Sequence, residues 1–469
     1  MSRFVWCFGL SMTLIGCPAA TEVESYFLTS EETRESAKKT LEQRAQKALR
    51  MRNVRRHIQL RTPNNPTYLT DVATDVVRKL SRKEAAPSLE VILELGELLF
   101  EHEFSVDEGM IGNIERIRGH DSNSCASCHW QSGVAGSGAV VDNSFLHSDS
   151  DQLSDYDSLN PPSLRGVGIV DLLAREMTED LHEQKKQLMQ STSLGVRGEV
   201  NLSTKGVSFG ILQVTESGAL DYSKIEGIDN DLVIKPFRWK GTTKNLEAFI
   251  IESLISHMGY DEHSVTDRRE IFLTWLLASL PPPEFRPVKS YRDLIAEPRS
   301  PSGELMTIYE EEWIQGSKTF KEIGCASCHL TEMPLRSPVF STKATHGVPG
   351  LRYNFAERWG LKFSEKDNAY IVHLFSDLKR HDLGEKNSSL HYDRGVPPKT
   401  FMTRRLWDLA NSAPYMHDGR ASWISHAIAE HGGEASPARQ AYLNLPKEKK
   451  AELRVFLMSL QKKTSVVVR

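Results

Sequence analysis

The chain has 469 residues, enough for two or more domains with cores of their own. Hydrophobic residues make up 39% and charged residues 26%, the balance of an ordinary globular protein rather than of a disordered or fibrous one. A net charge of −4 is too near neutral for a dedicated nucleic-acid binder, so no nucleic acid is expected as a partner.

Arg3 and the apolar run over residues 4–16 have the form of an export signal, too short to span a bilayer as a helix. Its end, Leu14-Ile15-Gly16-Cys17, resembles a bacterial lipobox. That implies a lipoprotein signal peptide over 1–16 and acylation of Cys17 as a lipid anchor to the membrane. Pro18 is not the Asp that usually retains lipoproteins at the inner membrane, so a periplasm-facing lipoprotein of the outer membrane is favoured. The other reading is a plain secretory signal with an incidental Cys. No later segment reaches the roughly 18 apolar residues of a transmembrane helix. Residues 17–86 are charged, with Lys, Arg, Glu and Gln at helix-friendly spacing from Glu31 to Arg61. They read as a solvated helix or tether, interrupted at Pro63 and Pro66.

The first unit, 87–285, opens on a helix in which Ile92, Leu95, Leu98 and Leu99 recur at helical spacing and Gly96 and Phe100 stand four apart. Cys125-Ala126-Ser127-Cys128-His129 follows. C-x-x-C-H is the attachment signature of c-type haem. Thiols three positions apart on one turn can each bond a haem vinyl group, and the adjacent His then points a ring nitrogen at the iron. Residues 191–236, rich in Gly, Ser, Thr and Val, read as short strands or a hairpin on a mostly helical body. Leu273, Leu276, Leu277 and Leu280 form the stripe of a closing helix, stopped by Pro281-Pro282-Pro283. A linker over 286–304 separates the units.

The second unit, 305–469, repeats this order. Gly316 and Phe320 are again four apart on a helical stretch, and Cys325-Ala326-Ser327-Cys328-His329 repeats the motif with the same Ala-Ser filling. Leu453, Phe456, Leu457 and Leu460 match the closing stripe. Residues 331–400 form a polar excursion of a size that often builds ligand access or partner surfaces. The expectation is a mainly α fold of two tandem cytochrome c-like domains with large loop and β-hairpin insertions, carrying two covalently bound haem c groups. A pair of structural zinc sites is the competing reading, but a lone C-x-x-C-H supplies three ligands and no second Cys pair lies nearby. Four of the six cysteines belong to the motifs and the other two, Cys7 and Cys17, lie at the start, so no disulfide framework is predicted.

Two such units with these insertions look like the bacterial di-haem cytochrome c peroxidase superfamily, over about residues 90–461. The most specific motif is Ala413-Pro414-Tyr415-Met416-His417-Asp418-Gly419-Arg420. Leu374-Phe375-Ser376-Asp377 through His381-Asp382-Leu383-Gly384 resembles the di-haem thiol-oxidoreductase branch in particular. Asn160-Pro161-Pro162-Ser163-Leu164 and Phe237-Arg238-Trp239-Lys240-Gly241 are shorter matches. The resemblance implies a peroxidase-like oxidoreductase. Its second haem would take electrons from a small electron-donor protein or another envelope carrier, and its first would reduce peroxide or serve to oxidise another substrate.

Particular residues follow from the same resemblance. In the peroxidases a Met fourteen residues after the His of the Tyr-x-His-Asp-Gly motif ligates haem 2, and the same count from His417 reaches His431. His329 and His431 are thereby the axial pair of haem 2; a surface His at a helix end is the other reading. His in place of Met removes a soft thioether that favours Fe(II), so the potential should fall. On haem 1, whose iron takes His129, the loop residue His147 is the counterpart of a His that leaves on activation. His257, in His257-Met258-Gly259, stands where the family has its catalytic Glu, to shuttle a proton or to bind the iron. Trp239 matches the Trp between the haems. Asn160, Ser412 and Pro414 match positions around an inter-haem calcium. Two other functions stay open: electron relay with both haems six-coordinate and no catalysis, or oxidation of a protein or thiol substrate. With no free Cys in the mature chain, the last cannot proceed by thiol–disulfide exchange on the protein itself.

Overall fold

The computed structural model describes residues 89–104, 122–131, 133–138, 145–147, 157–192, 196–260, 269–280, 310–342 and 352–460. The signal over 1–16, Cys17, the charged segment 17–86, the linker 286–304 and the side chain of His147 lie outside the described residues. The described residues all fall in one compact unit.

In chain order the first half has α1 (Leu89–Glu101), β1 (Phe145–His147), β2 (Asp157–Leu159), α2 (Val167–Ser191), β3 (Gly198–Thr204), β4 (Val207–Val214), β5 (Leu220–Ile225), α3 (Leu246–Met258) and α4 (Arg269–Ser279). The second half has α5 (Glu310–Glu322), β6 (Met333–Leu335), β7 (Val339–Ser341), β8 (Arg352–Asn354), α6 (Phe355–Trp359), β9 (Phe363–Ser364) and β10 (Ala369–Val372). It closes with β11 (Arg380–Asp382), β12 (Thr400–Met402), α7 (Ile424–Glu430), α8 (Ser436–Leu443) and α9 (Lys447–Met458).

The expected mainly α fold is corrected by this inventory. Of the described residues 41% are helical and 19% lie in strands, so the fold is mixed α/β. The strands form small antiparallel sheets: β1-β2, β3-β4-β5, β6-β10-β9, β7-β8 and β11-β12. The insertions are long enough to bury apolar faces of their own. Val207, Phe209, Leu212 and Val214 of β4 turn inward, and α2 packs on β3 and β4. The other sheets use strands of two to four residues, too short to show an alternating pattern in sequence.

The helices behave as their stripes require. α1 packs on α4 and α5 packs on α9, with Leu99, Phe100, Leu453 and Phe456 almost fully buried. The glycine repeated in each half marks the crossing point. A Cβ on Gly96 would stand 2.7 Å from the Phe272 carbonyl oxygen, and one on Gly316 would clash with that of Glu452. Only a residue without a side chain lets the two backbones come so close.

The cores do not divide at the linker. Met333, Leu335, Phe340, Tyr353, Phe355 and Leu374 from the second half lie in one cluster with Leu173, Leu202 and Leu276. A smaller cluster of Phe320, Phe375, Tyr442, Leu453, Phe456, Leu457 and Leu460 sits under the second C-A-S-C-H motif. A buried ion pair also spans the halves, Arg165 Nη1 to Asp408 Oδ2 at 2.7 Å.

Candidate functional site

Both C-A-S-C-H copies fold as the same short 3₁₀ turn. The His129 amide donates to the Cys125 carbonyl at 3.1 Å, and that of His329 to Cys325 at 2.9 Å. The shared Ser has a local reason: the Ser127 hydroxyl donates to Ser124 O and the Ser327 hydroxyl to Gly324 O, both at 2.7 Å. Burial pushes the Cys125 thiol up to about 12, with Cys128 beside it adding to the rise, and burial pushes Cys325 up to about 11. These are not the activated thiolates of a redox site.

Each motif histidine is turned by a backbone carbonyl. His129 Nδ1 is 3.2 Å from Gly136 O, and His329 Nδ1 is 3.0 Å from Phe375 O. A carbonyl only accepts, so Nδ1 carries the proton and Nε2 keeps a lone pair for a metal. Burial lowers both rings to about 4; the Gly136 carbonyl works against this in His129, and His431 adds to it in His329. Both rings are therefore neutral near pH 7.

His431 approaches His329 from across the second site. Its Nδ1 is 2.8 Å from Ala427 O, and the two ring centroids are 6.4 Å apart. Two metal–nitrogen bonds of about 2 Å each, laid end to end between two imidazole rings, account for a separation of that size. Backbone packing seats the ligand loop. A Cβ on Gly432 would stand 2.6 Å from Leu383 O, and Gly433, at φ +52°, lies against the Asp382 carbonyl. Asn387, fully buried, donates to Leu383 O at 3.0 Å and Glu430 O at 2.8 Å. The His381–Gly384 stretch is thus the bed of the His431 loop.

His381 itself bridges two carboxylates, with Nε2 2.7 Å from Asp377 and Nδ1 2.7 Å from Glu434. Burial alone would lower its pKa, but the bonds to Asp377 and Cys328, the Asp377 charge and the Glu434 bond together raise it to about 11. Cys328, Asp377 and His381 also have the spacing of a metal cluster, with ligand atoms within 4.8 Å. Both ring nitrogens are already held by carboxylates, however, which favours an ion-paired imidazolium. Its folded pKa lies above the ordinary 6.5, so its stabilising contribution is whole below that pH and is lost as pH rises toward 11. The stability difference between the protein and His381→Gln, read from urea midpoints, is expected to shrink steadily from pH 6 to pH 10. A difference independent of pH would show that His381 is neutral.

The first site opens into a cavity of about 1370 Å³, counting its open mouth. Cys125, Cys128, His129, Asn160, Trp239 and His257 are among its lining residues. His257 is in the last turn of α3, near enough for its charge to depress His129. Trp239 Nε1 donates to Asn160 O at 2.9 Å, and Asn160 Nδ2 to Pro414 O at 2.5 Å. The Asn160 amide bonds His417 O at 2.6 Å, which ties Trp239 to the Ala413–Arg420 motif. His417 is itself stacked on Phe401, and burial lowers it to about 4. Of the positions expected around calcium, Asn160 Oδ1 is buried with no hydrogen-bond partner among the described residues and Pro414 O is beside the same amide. The Ser412 hydroxyl is turned away, to Asp408 O at 2.6 Å. β1, which ends at His147, pairs with β2.

The structure therefore gathers His129, His257, Trp239 and Asn160 around one cavity and His329 with His431 at a second site. Reading the sequence missed Asp377 and Glu434 as partners of His381, although Asp377 lies in a quoted motif. It also missed Arg404 and Arg405, which line the first cavity and carry no spacing signature.

Residues 302–460, which hold the second motif, His381, His417 and His431, match the family described as di-haem oxidoreductase, putative peroxidase. This part of the chain is similar to the di-haem oxidoreductase domains. The match agrees with the resemblance to the di-haem peroxidases, and it implies haem as the cofactor. Thiols on a turn, neutral imidazoles with Nε2 presented, and two histidines spaced for opposite faces of one metal are what that cofactor requires. Among solved structures the chain is similar to a MauG-like protein associated with microbial copper homeostasis, at 14% identity over 80% of this chain and 90% of that one, TM-score 0.37. It is also similar to the diheme peroxidase BthA from Burkholderia thailandensis, at 12% identity over 79% and 86%, TM-score 0.34. No curated protein sequence matches the chain. Among the described residues no helix is long and apolar enough to cross a membrane.

Proposed function

We propose that the protein is a peroxidase-like oxidoreductase with two c-type haems, one bonded to Cys125 and Cys128 and the other to Cys325 and Cys328. The observation that carries this reading is the contrast between the sites. His329 is faced by His431 across 6.4 Å, whereas His129 opens, together with His257, into an open-mouthed cavity. Bound haem supplies the redox chemistry, with electrons accepted at the His329–His431 site and used at the His129 site to reduce peroxide or to oxidise another substrate.

The chain's own residues do the rest. Reduction of a peroxide to two waters consumes two protons with two electrons, and His257 is the group positioned to hand protons to the substrate oxygen. A continuous run of covalent and hydrogen bonds supports relay between the sites. Trp239 O accepts from the Met402 amide at 3.0 Å, Thr403 O from the Ser376 hydroxyl at 2.7 Å, and Phe375 O from His329 Nδ1 at 3.0 Å. The same reading includes export, a Cys17 lipid anchor on the periplasmic face of the outer membrane, and a small electron-donor protein as partner. Calcium held by Asn160 Oδ1 and Pro414 O would join the Trp239 loop to the second half.

Electron paramagnetic resonance of the oxidised and half-reduced protein tests the proposal. A high-spin signal from haem 1 in the half-reduced form, quenched by peroxide, is the expected result. Two haems that stay low-spin and ignore peroxide would instead leave a non-catalytic electron carrier.

A further inference from the structure

Arg404 and Arg405 follow β12 and line the cavity of His129. The Nε and Nη2 atoms of Arg404 are buried with no hydrogen-bond partner among the described residues. The guanidinium lies over the Trp239 ring, 4.4 Å from its centroid. Arg405 gives one bond to the Ser163 carbonyl. The cations around them have partners. Lys240 bonds the Pro397, Pro398 and Thr400 carbonyls, Arg238 pairs with Glu252, and Arg165 pairs with Asp408. Among the described residues no carboxylate acts on the pair. Burial and then Arg405 lower the pKa of Arg404 to about 9, and burial alone lowers Arg405 to about 10.

Two half-buried, adjacent guanidinium groups, one of them with two nitrogens fully buried and unpartnered, carry a desolvation cost unless an anion completes them. Indole stacking offsets only part of it. The missing partner must be anionic, must fit a cavity that also presents two thiols, and must offer acceptors to a planar fork. We propose that Arg404 and Arg405 form a carboxylate clamp that binds the two propionate groups of the haem held by His129. Propionates are the anionic groups of a haem, and the Arg fork matches a carboxylate in two bonds. Arg404 then lies between the haem carboxylate and the Trp239 indole. The clamp fixes the acid edge of the cofactor beside the residue where the bonded run from the second site begins. This inference rests on the haem reading above.

The test uses the purified, haem-loaded protein and its Arg404→Met, Arg405→Met and Arg404→Lys variants. Haem content is measured first, then an optical redox titration resolves the two haems, and resonance Raman spectra report the propionate bending band. Removing a cation beside the carboxylates should lower the midpoint potential of haem 1, leave that of haem 2 in place and shift the propionate band. Arg404→Lys should fall between the protein and Arg404→Met. If the Met variants fail to hold haem 1 while Arg404→Lys retains it, the clamp is again supported. Both haems attached with an unchanged haem 1 potential and propionate band in both Met variants would overturn it. So would a haem 1 potential that responds to added acetate in the protein but not in Arg404→Met, since the pair would then serve a carboxylate from solution. Absence of covalent haem from the parent protein would instead overturn the functional reading itself.

Discussion

Replacing His431 by Gly is expected to convert haem 2 from a six-coordinate low-spin centre to a five-coordinate high-spin one. Its low-spin resonance would be lost, and a high-spin signal would take its place. The His329 side should hold, because its ring is fixed independently by the Phe375 carbonyl and the 3₁₀ turn of the motif. Added imidazole should restore the low-spin spectrum, since the space left is that of the deleted ring. His431→Met should keep six-coordination and raise the potential of haem 2, because a thioether favours the reduced metal. An unchanged haem 2 spectrum in His431→Gly would remove the residue from the ligand set.

Arg165→Met is expected to produce the largest loss of stability, about 3–5 kcal/mol, the usual cost of leaving one half of a buried ion pair uncompensated. The side chains of Arg165 and Asp408 are only 5% and 2% exposed, and their oxygen–nitrogen distance is 2.7 Å. Asp408 also anchors the start of the Ala413–Arg420 motif. Its side chain accepts from Asn411 at 2.9 Å, and its carbonyl accepts from Ser412 at 2.6 Å. The damage should therefore extend toward Asn160 and Trp239. In a urea titration the double variant Arg165→Met with Asp408→Leu should recover most of the loss, since it removes the stranded charge together with the pair. A single variant within 1 kcal/mol of the parent, on the order of an exposed pair, would show that Asp408 reaches water.

The parts of the fold legible in the sequence are those with a strong period. The apolar stripes of α1, α4, α5 and α9 and the Gly-to-Phe spacing repeated in both halves stand out because a helix buries one face over several turns. The sheets of the second half leave no comparable trace, and with β3, β4 and β5 their strands make the fold mixed rather than mainly α. At the candidate sites, the two C-x-x-C-H turns announce themselves by chemistry at fixed spacing. The pairing of His329 with His431, by contrast, joins residues 102 positions apart (431 − 329), which only a family resemblance suggested. Arg404 and Arg405 were invisible for a different reason. A pair of arginines is an ordinary surface feature until burial and missing partners are known, and neither quantity is written in the order of residues.

The shared core has a consequence for how the chain must be made. Phe340, Phe355 and Met333 complete an apolar interior begun by Leu173 and Leu202, so a fragment cut after either half would leave a greasy face exposed to water. A haem bonded to its two thiols would stay on the chain in the unfolded state, so folding would gain from it only the apolar burial and ligation that the folded protein adds. Because the interior is common property, that gain is felt by both halves whichever motif receives haem first. A molecule charged at one motif alone is then the whole protein at reduced stability rather than half of a working one. Under the proposed haem reading, a variant that loses either C-x-x-C-H pair is expected to unfold both halves together at a lower urea midpoint.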